Sequence, residues 1–379
     1  MMKNENSEIK ERNQGIMVLK IIGTFGVLLY HFFQQFIPAL IDGNTNDYFL
    51  YHIIHSPIYA IWNAQFFIAL FWVISGFLLG YRFANTNINM HLVKIVVKNW
   101  KRWLRFAFPF VFTTLFSFLL IKYNLYSNIY INSDSPFTSV FQFEPDFKAA
   151  IYEGLIGCFT NGKAKYNPVL WTMSIEFTEY FFLSILSVLI YNWKWKQNIV
   201  NGILICMILV SIIRPMYMPM IVGYVVGFNY TQCKIKSKIS ISLMIITAIF
   251  LAGYPFMHVR KGIYQFVPMI SAWIYYSVGS VILIYCCFEL NKLSKYIKIF
   301  GGGGQLFEIY IFHFIIQCSI TDYLYIWIMK YVKSMTLVLF MVLFLHIFCV
   351  VVISCFFQCM IFRRWNLFLR NLWEDKNSN

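Results

Sequence analysis

The chain has 379 residues, of which 59% are hydrophobic, 20% aromatic and only 12% charged. Ordinary soluble domains carry about a quarter charged residues, so this chain has too few polar side chains to cover a soluble globule. Disorder and a coiled coil are excluded for the same reason. The net charge of +15 does not indicate a soluble nucleic-acid binder, because the apolar excess needs lipid around it. The composition predicts an all-α, polytopic transmembrane helix bundle with membrane lipids as neighbours and no nucleic-acid partner.

Ten apolar segments approach the length of about 20 residues that a helix needs to cross a bilayer. They lie at 16–37, 63–83, 104–122, 168–191, 198–214, 216–231, 239–256, 266–289, 305–322 and 335–361. The fifth and sixth are separated only by Arg214 and Pro215, and they also fit a single kinked element. We therefore predict about ten spans.

The basic residues indicate the orientation. If the N-terminus is cytoplasmic, every predicted inner loop carries a cluster of Lys or Arg, as the positive-inside rule requires. Both termini are therefore predicted to be cytoplasmic. The predicted organisation is a flexible N-terminus (1–14), a transmembrane domain (15–362) and a cytoplasmic C-terminal tail (363–379). The nine cysteines show no paired spacing, so neither a disulfide nor a metal site is predicted.

A histidine and a lysine share one stripe of the first predicted helix. His31 follows Lys20 by eleven positions, or three turns, which places them about 16 Å apart along the axis and on nearly the same face. Ionisable groups in a span usually face a cavity or do chemistry, so this stripe suits an elongated anionic substrate. The alternative is a histidine bound to a neighbouring backbone and a lysine that snorkels to the interface.

Two arginines open the third predicted span. Arg102 and Arg105 are at i and i+3, so their guanidinium groups share a helix face, and such groups bind phosphates with a planar fork of donors. The alternative is ordinary inner-loop charge that meets anionic lipid head groups.

Carboxylates and a second histidine also fall inside predicted spans. Glu176 and Glu179 lie one turn apart in the fourth, and Glu308 and His313 lie in the ninth. Charged side chains in hydrocarbon are strongly disfavoured, so these groups are expected to point inward. Gly301 to Gly304 precede the ninth span. One interpretation is a nest of backbone amides that binds phosphate, and the simpler one is a linker.

These segments together resemble the acyltransferase-3 family of integral membrane acyltransferases. The family pairs a basic residue with a later histidine in its first helix, here Lys20 and His31, although Arg is usual at the first position. Other segments that match are 75–77 (SGF), 102–105 (RWLR), 170–176 (LWTMSIE) and 304–313 (GQLFEIYIFH). In the last of these, Glu308 stands where the family commonly has Tyr.

The resemblance implies an O-acyltransferase that stands alone, without the SGNH hydrolase-like domain of some relatives. It implies acetyl-CoA or another acyl-CoA as co-substrate, and no permanently bound cofactor. The acceptor would be a cell-surface polysaccharide, a glycolipid or a lipid-linked sugar, and the location a bacterial cytoplasmic membrane.

The resemblance also assigns roles to residues. His31 would be a general base or a transient acyl carrier, and Glu176 would orient its imidazole. The phosphates of the donor would lie near Lys20, Arg102 and Arg105. The residues expected to line the substrate cavity are Trp171, Glu179, Tyr310 and His313.

Two other functions fit the same polar positions. A polysaccharide or solute transporter would use them to line a path, but no repeat symmetry relates the two halves of the sequence. A structural subunit of a synthase complex would tolerate mutation at these positions. Activity with labelled acetyl-CoA distinguishes these functions from the acyltransferase.

Overall fold

The computed structural model describes residues 2–43, 45–85, 92–131, 135–192, 197–230, 238–256, 260–289 and 305–374. These residues are predominantly helical, and no β-strand occurs among them. The fold is therefore all-α, as predicted.

An apolar helix occupies each of the ten predicted segments. In chain order they are α1 (Met2–Phe36), α2 (Ala64–Ala84), α3 (Leu92–Lys122), α4 (Thr172–Asn192), α5 (Gln197–Ser211), α6 (Met218–Phe228), α7 (Lys238–Ala252), α8 (Ala272–Glu289), α9 (Leu306–Met329) and α10 (Met335–Phe357). Within the described ranges, α1 to α4, α9 and α10 belong to six helices long and apolar enough to cross a membrane, and the apolar parts of the other four have 10–17 residues. The architecture is that of a polytopic helical bundle.

Two helices begin earlier than their apolar segments. The α1 helix begins at Met2, which extends it into the predicted flexible segment 1–14. The α3 helix begins at Leu92, so Arg102 lies in its third turn rather than at its start. Hydropathy misses both extensions because charged helix formers such as Glu, Lys and Arg favour helix without being apolar.

Shorter elements complete the connections. They are the helices Ala39–Asp42, Tyr48–Ile54, Phe147–Tyr152 and Cys158–Thr160 and the 3₁₀ turns Pro57–Ile61, Asn128–Tyr130, Pro168–Trp171, Pro215–Tyr217 and Gly262–Phe266. π-helical turns occur at Glu153–Gly157, Gln317–Thr321 and Gln358–Phe362. The last turn leads from α10 into α11 (Arg363–Glu374). The predicted tail is therefore helical as far as Glu374.

The chain forms two compact units. The first unit comprises Met1–Tyr30, Ala39–Ile95 and Glu176–Gly304, and the second comprises His31–Pro38, Val96–Ile175 and Gln305–Asn379. Each unit has its own packing.

Glycines bring α2 and α6 close together in the first unit. A Cβ atom built on Gly76 would lie 2.1 Å from the Met220 carbonyl oxygen, and one on Gly223 would lie 2.2 Å from that of Val73. Gly80 and Gly227, each four residues further along, show the same approach. The two small-xxx-small pairs therefore allow backbone contact between these helices.

The long connection between α3 and α4 packs on its own unit. Tyr126 and Phe141 stack with ring centroids 3.9 Å apart, and the Asn128 amide donates to the carbonyls of Phe137 and Val140 at 2.6 and 2.8 Å. Phe314 of α9 belongs to the same buried cluster. This segment thus covers part of the second unit with aromatic side chains.

Candidate active site

His31 lies near the end of α1 among aromatic rings of the second unit. Its ring centroid is 5.9 Å from that of Phe137, 5.3 Å from that of Phe314 and 5.3 Å from that of His313. The residue as a whole is half-buried, its Nδ1 atom is buried, and the Gln34 side chain hydrogen-bonds to the imidazole. His31 therefore has the apolar surround that suits a general base in a membrane enzyme.

The neighbouring imidazole has a defined tautomer. The Nδ1 atom of His313 lies 2.7 Å from the Tyr310 carbonyl oxygen, which only accepts hydrogen bonds, so Nδ1 carries the proton in the neutral ring. Its Nε2 atom then has a lone pair, and that buried atom has no partner among the described residues. His313 thus offers an unused acceptor beside His31.

A third histidine joins this group from α10. Nδ1 of His346 hydrogen-bonds to the Thr321 hydroxyl at 2.8 Å, and its ring lies 5.9 Å from that of Phe32. His346 is fully buried, whereas His31 is not. We call His31, His313 and His346 the histidine cluster, in which His31 is the member that is only half-buried.

The π-helical turn of α9 supports the histidine cluster. The Gln317 side chain donates to the backbone carbonyl of His31 at 2.8 Å, and Thr321 contacts His346 as described above. Such turns often occur at functional sites because the extra residue redirects side chains. This turn joins α1 to α10 through α9.

A buried acid–amide network continues from the same turn. The Gln35 amide donates to Asp322 Oδ2 at 3.1 Å, and the Ser135 hydroxyl donates to Gln35 Oε1 at 2.6 Å. Sequence analysis missed Asp322, because the predicted ninth span ended at that residue. Its position in an apolar helix was the available signal.

Tyr310 of α9 contacts the segment that leads into α4, and Trp171 belongs to that segment. The Tyr310 hydroxyl is 2.9 Å from the Thr172 hydroxyl and donates to the Val169 carbonyl at 3.1 Å. Trp171 ends the 3₁₀ turn Pro168–Trp171 and is half-buried. Tyr310 is therefore close to the histidine cluster through His313, and the lining role of both residues stays a prediction.

The two predicted phosphate-binding arginines converge on one aromatic ring. The guanidinium carbons of Arg102 and Arg105 lie 5.5 and 5.7 Å from the Phe106 ring centroid. Arg105 is exposed, and Glu308 lies close enough to attract it electrostatically. Pro109 has no N–H, so the Arg105 carbonyl loses its usual helical donor. The second unit thus presents a paired cationic site.

Three predicted site residues belong to the first unit. Glu176 accepts a hydrogen bond from the Ser75 hydroxyl at 3.1 Å, and Lys20 lies half-buried on α1. Glu179 is buried, with an exposed fraction of 6%, and neither carboxyl oxygen has a partner in the described chain. The predicted roles of Lys20 and Glu176 toward donor and imidazole stay predictions.

The described ranges contain no evident metal site. No group of three His, Cys, Asp or Glu side chains there is placed to hold a metal ion. Gly301 to Gly304, considered as a phosphate nest, lie outside the described residues.

Comparison with known proteins identifies the class. The acyltransferase-3 family model, described as an acyltransferase domain, matches residues 13–360. No curated protein and no solved structure matches the chain. The match spans most of the chain, so the protein belongs to this family. Together with its apolar helices, this makes it a multi-pass membrane acyltransferase and favours that function over the transporter.

Proposed function

We propose that this acyltransferase moves an acetyl group from acetyl-CoA to a hydroxyl group of a cell-surface polysaccharide or glycolipid, in a bacterial cytoplasmic membrane. The observation that carries the proposal is the half-buried residue His31, whose ring lies beside the buried imidazole of His313. The paired arginines of the same unit support an anionic donor. Cell-surface sugars as acceptors follow from the family resemblance.

The chemistry needs one base and no redox partner. His31 takes the proton of the acceptor hydroxyl as its oxygen attacks the thioester carbonyl. The new C–O bond forms, the C–S bond breaks, and the departing CoA sulfur takes the proton from the imidazolium. The products are an O-acetyl ester and free CoA, and the imidazole returns to its starting state.

The surroundings of His31 favour this step in two ways. Aromatic side chains exclude water, which limits hydrolysis of the thioester and strengthens local electrostatic interactions. The Gln317 hydrogen bond to the His31 carbonyl holds that turn of α1 in place. The imidazole is therefore positioned before the substrates arrive.

Arg102 and Arg105 suit the phosphates of CoA. Guanidinium groups bind phosphate oxygens with paired hydrogen bonds, and these charge-assisted bonds are about twice as strong as neutral ones. Both groups flank Phe106, whose face adds an apolar contact beside the charges. CoA therefore serves as a co-substrate here, bound for each turnover.

Transfer of label from acetyl-CoA tests the proposal. Purified protein in nanodiscs is given labelled acetyl-CoA and a cell-envelope glycan fraction, and ester formation is followed. His31→Ala should lower the rate by about a hundredfold to ten-thousandfold, as expected for loss of a general base. His52→Ala, which removes an exposed histidine of the first unit, is the matched control and should retain full activity. Equal rates for wild type and His31→Ala would remove His31 from the mechanism.

A second measurement separates a base from an acyl carrier. The protein is incubated with labelled acetyl-CoA and no acceptor, and then quenched. A general base leaves the protein unlabelled, whereas a carrier gives stoichiometric label that is absent in His31→Ala. We expect no label, because the step above proceeds by direct attack.

A further inference from the structure

An apolar groove runs along α4, α5 and the start of α6 in the first unit. It has a volume of about 860 Å³ and is lined mainly by aliphatic and aromatic side chains, including Phe182, Met207 and Ile221. Glu179 is part of its wall, and both of its buried carboxyl oxygens lack a partner in the described chain. An unmet carboxyl in the wall of a mainly apolar groove favours a ligand that carries a polar group.

The wall of the groove contains an open position. A Cβ atom on Gly202 of α5 would meet no atom within 4 Å, so a larger side chain there would enter the groove rather than strike the protein. Cys206, one turn further along, is exposed and also lines the groove. The groove therefore has space for a hydrocarbon chain and a native thiol that reports on its occupancy.

Arg214 connects this groove to a cavity of different character. Arg214 and Tyr217 line both spaces. The second space has a volume of about 750 Å³ and adds Arg260 and the aromatic side chains of Tyr254 and Trp273. Arg260 donates to the Val267 carbonyl, which holds one side of its guanidinium group. Two arginines among aromatic rings suit a phosphate joined to a sugar or a glycerol.

Lipids of one chemical class match both spaces. The hydrocarbon tail suits the groove, and a phosphate suits the arginines. The carboxyl of Glu179 in its acid form can donate to an ester carbonyl, which a glycerolipid has between tail and head and a polyprenyl phosphate lacks. Glu179 therefore favours a glycerolipid over a polyprenyl phosphate.

We infer that the groove and the adjoining cavity bind a glycerolipid with a phosphate-bearing head. Its tail lies along α4 and α5, and its phosphate lies between Arg214 and Arg260. The binding site itself stands on the first unit alone.

Lipid binding to the purified protein tests the inference. The probe is dioleoylphosphatidic acid, followed by native mass spectrometry and by its protection of Cys206 from alkylation. We expect Gly202→Phe to weaken binding by about tenfold or more, because the ring fills the groove, whereas Gly202→Ala keeps it. Arg214→Gln with Arg260→Gln should also lose about tenfold. Glu179→Leu should weaken binding, and Glu179→Gln, which can still donate, should restore it.

Other probes exclude simpler explanations. Dioleoylglycerol, which lacks the phosphate, and polyprenyl phosphate, which lacks the ester, should each bind more weakly than phosphatidic acid. Inorganic phosphate should not protect Cys206. The exposed Cys359 of the second unit is the control thiol and should react equally with and without lipid. Equal binding to wild type and Gly202→Phe would show ordinary surrounding lipid and overturn the inference, and tighter binding of polyprenyl phosphate would overturn the glycerolipid assignment.

The two proposals fail in different experiments. If the groove takes no lipid while wild type still transfers label to glycan and His31→Ala does not, only the lipid inference falls. If lipid binds as expected while no label leaves acetyl-CoA, only the proposed function falls.

Discussion

The buried amide of Asn63 in the first unit and the buried imidazole of His313 in the second are satisfied to different degrees. The Asn63 amide donates to the Ala252 carbonyl at 2.7 Å and to the Tyr276 hydroxyl at 3.0 Å, and its oxygen accepts from the Phe66 amide. His313 uses one ring nitrogen and leaves the other without a partner among the described residues.

The surroundings of the two residues extend this contrast. The network around Asn63 is neutral, and the Tyr276 hydroxyl in turn donates a hydrogen bond to the Tyr254 carbonyl at 2.7 Å. His313 has ionisable neighbours in His31 and His346. Elsewhere in the second unit, Asp322 Oδ1 and Glu308 Oε2 also lack partners within the described ranges. A network that only holds helices together uses all of its donors and acceptors, whereas a site for substrates keeps some free.

The largest effect is expected in the first unit, where α2 and α6 pack against each other. Gly223→Ala would place a Cβ atom 2.2 Å from the Val73 carbonyl oxygen, so α2 and α6 must separate. We expect a loss of about 3 kcal/mol or more in stability and little folded protein, as for severe overpacking. Gly202→Ala, which meets open space, should melt like wild type in a detergent thermal-shift assay. Equal melting of the two variants would show that close helix contact is not needed.

The second largest effect is expected at the paired arginines, which belong to the ionisable groups of the second unit. Arg102→Gln with Arg105→Gln should weaken CoA binding by about a hundredfold, since each charge-assisted hydrogen bond contributes about 1.5 kcal/mol. Wild-type affinity should also fall with added salt more steeply than that of the double variant. Isothermal titration with CoA provides both measurements, with Arg370→Gln of α11 as the control. If membrane insertion fails before CoA binding does, the arginines have a topological role instead.

His313 has a smaller expected effect that separates positioning from packing. His313→Ala should lower the transfer rate by about tenfold, equivalent to one lost hydrogen bond near His31, with a small change in melting temperature. The pH–rate profile should move relative to wild type, because the ring adjacent to His31 has gone. An unchanged profile together with lower stability would make His313 a packing residue only.

The positions of the helices were predictable from the sequence, and their partners were not. Hydropathy located all ten apolar helices, because burial in lipid requires long apolar runs. The spacing of Gly76 with Gly80 and of Gly223 with Gly227 is visible in the sequence, but nothing in it pairs α2 with α6. The Gln35 contact with Asp322 joins residues 287 positions apart, and the π-helical turn that helps form the cluster has no sequence signature. His31, Arg102 and Arg105 were predicted as site residues because charge in a span is costly and therefore conspicuous, and their roles stay predictions.

The smallest effect is expected at an ionisable group whose two carboxyl oxygens both have hydrogen-bond partners. Glu153, between α3 and α4, accepts backbone hydrogen bonds from Lys165, Tyr166 and Asn167 at 2.7 to 3.0 Å. It should therefore serve stability, and Glu153→Ala should cost about 1 kcal/mol, because it leaves the buried backbone donors of Tyr166 and Asn167 without their acceptor.

The pH dependence of Glu153 adds a signed test. Burial raises the pKa of its carboxyl above the usual 4.5, against the opposing effect of the backbone donors. The folded state therefore holds the proton more tightly than the unfolded state does, so its contribution is complete below that usual value and declines as the pH rises through the raised pKa. The difference in melting temperature between wild type and Glu153→Ala should become smaller as the pH rises from acid to neutral. A difference that becomes larger would mean that the backbone donors outweigh burial, and the Glu153 carboxylate would then hold its segment in the charged form.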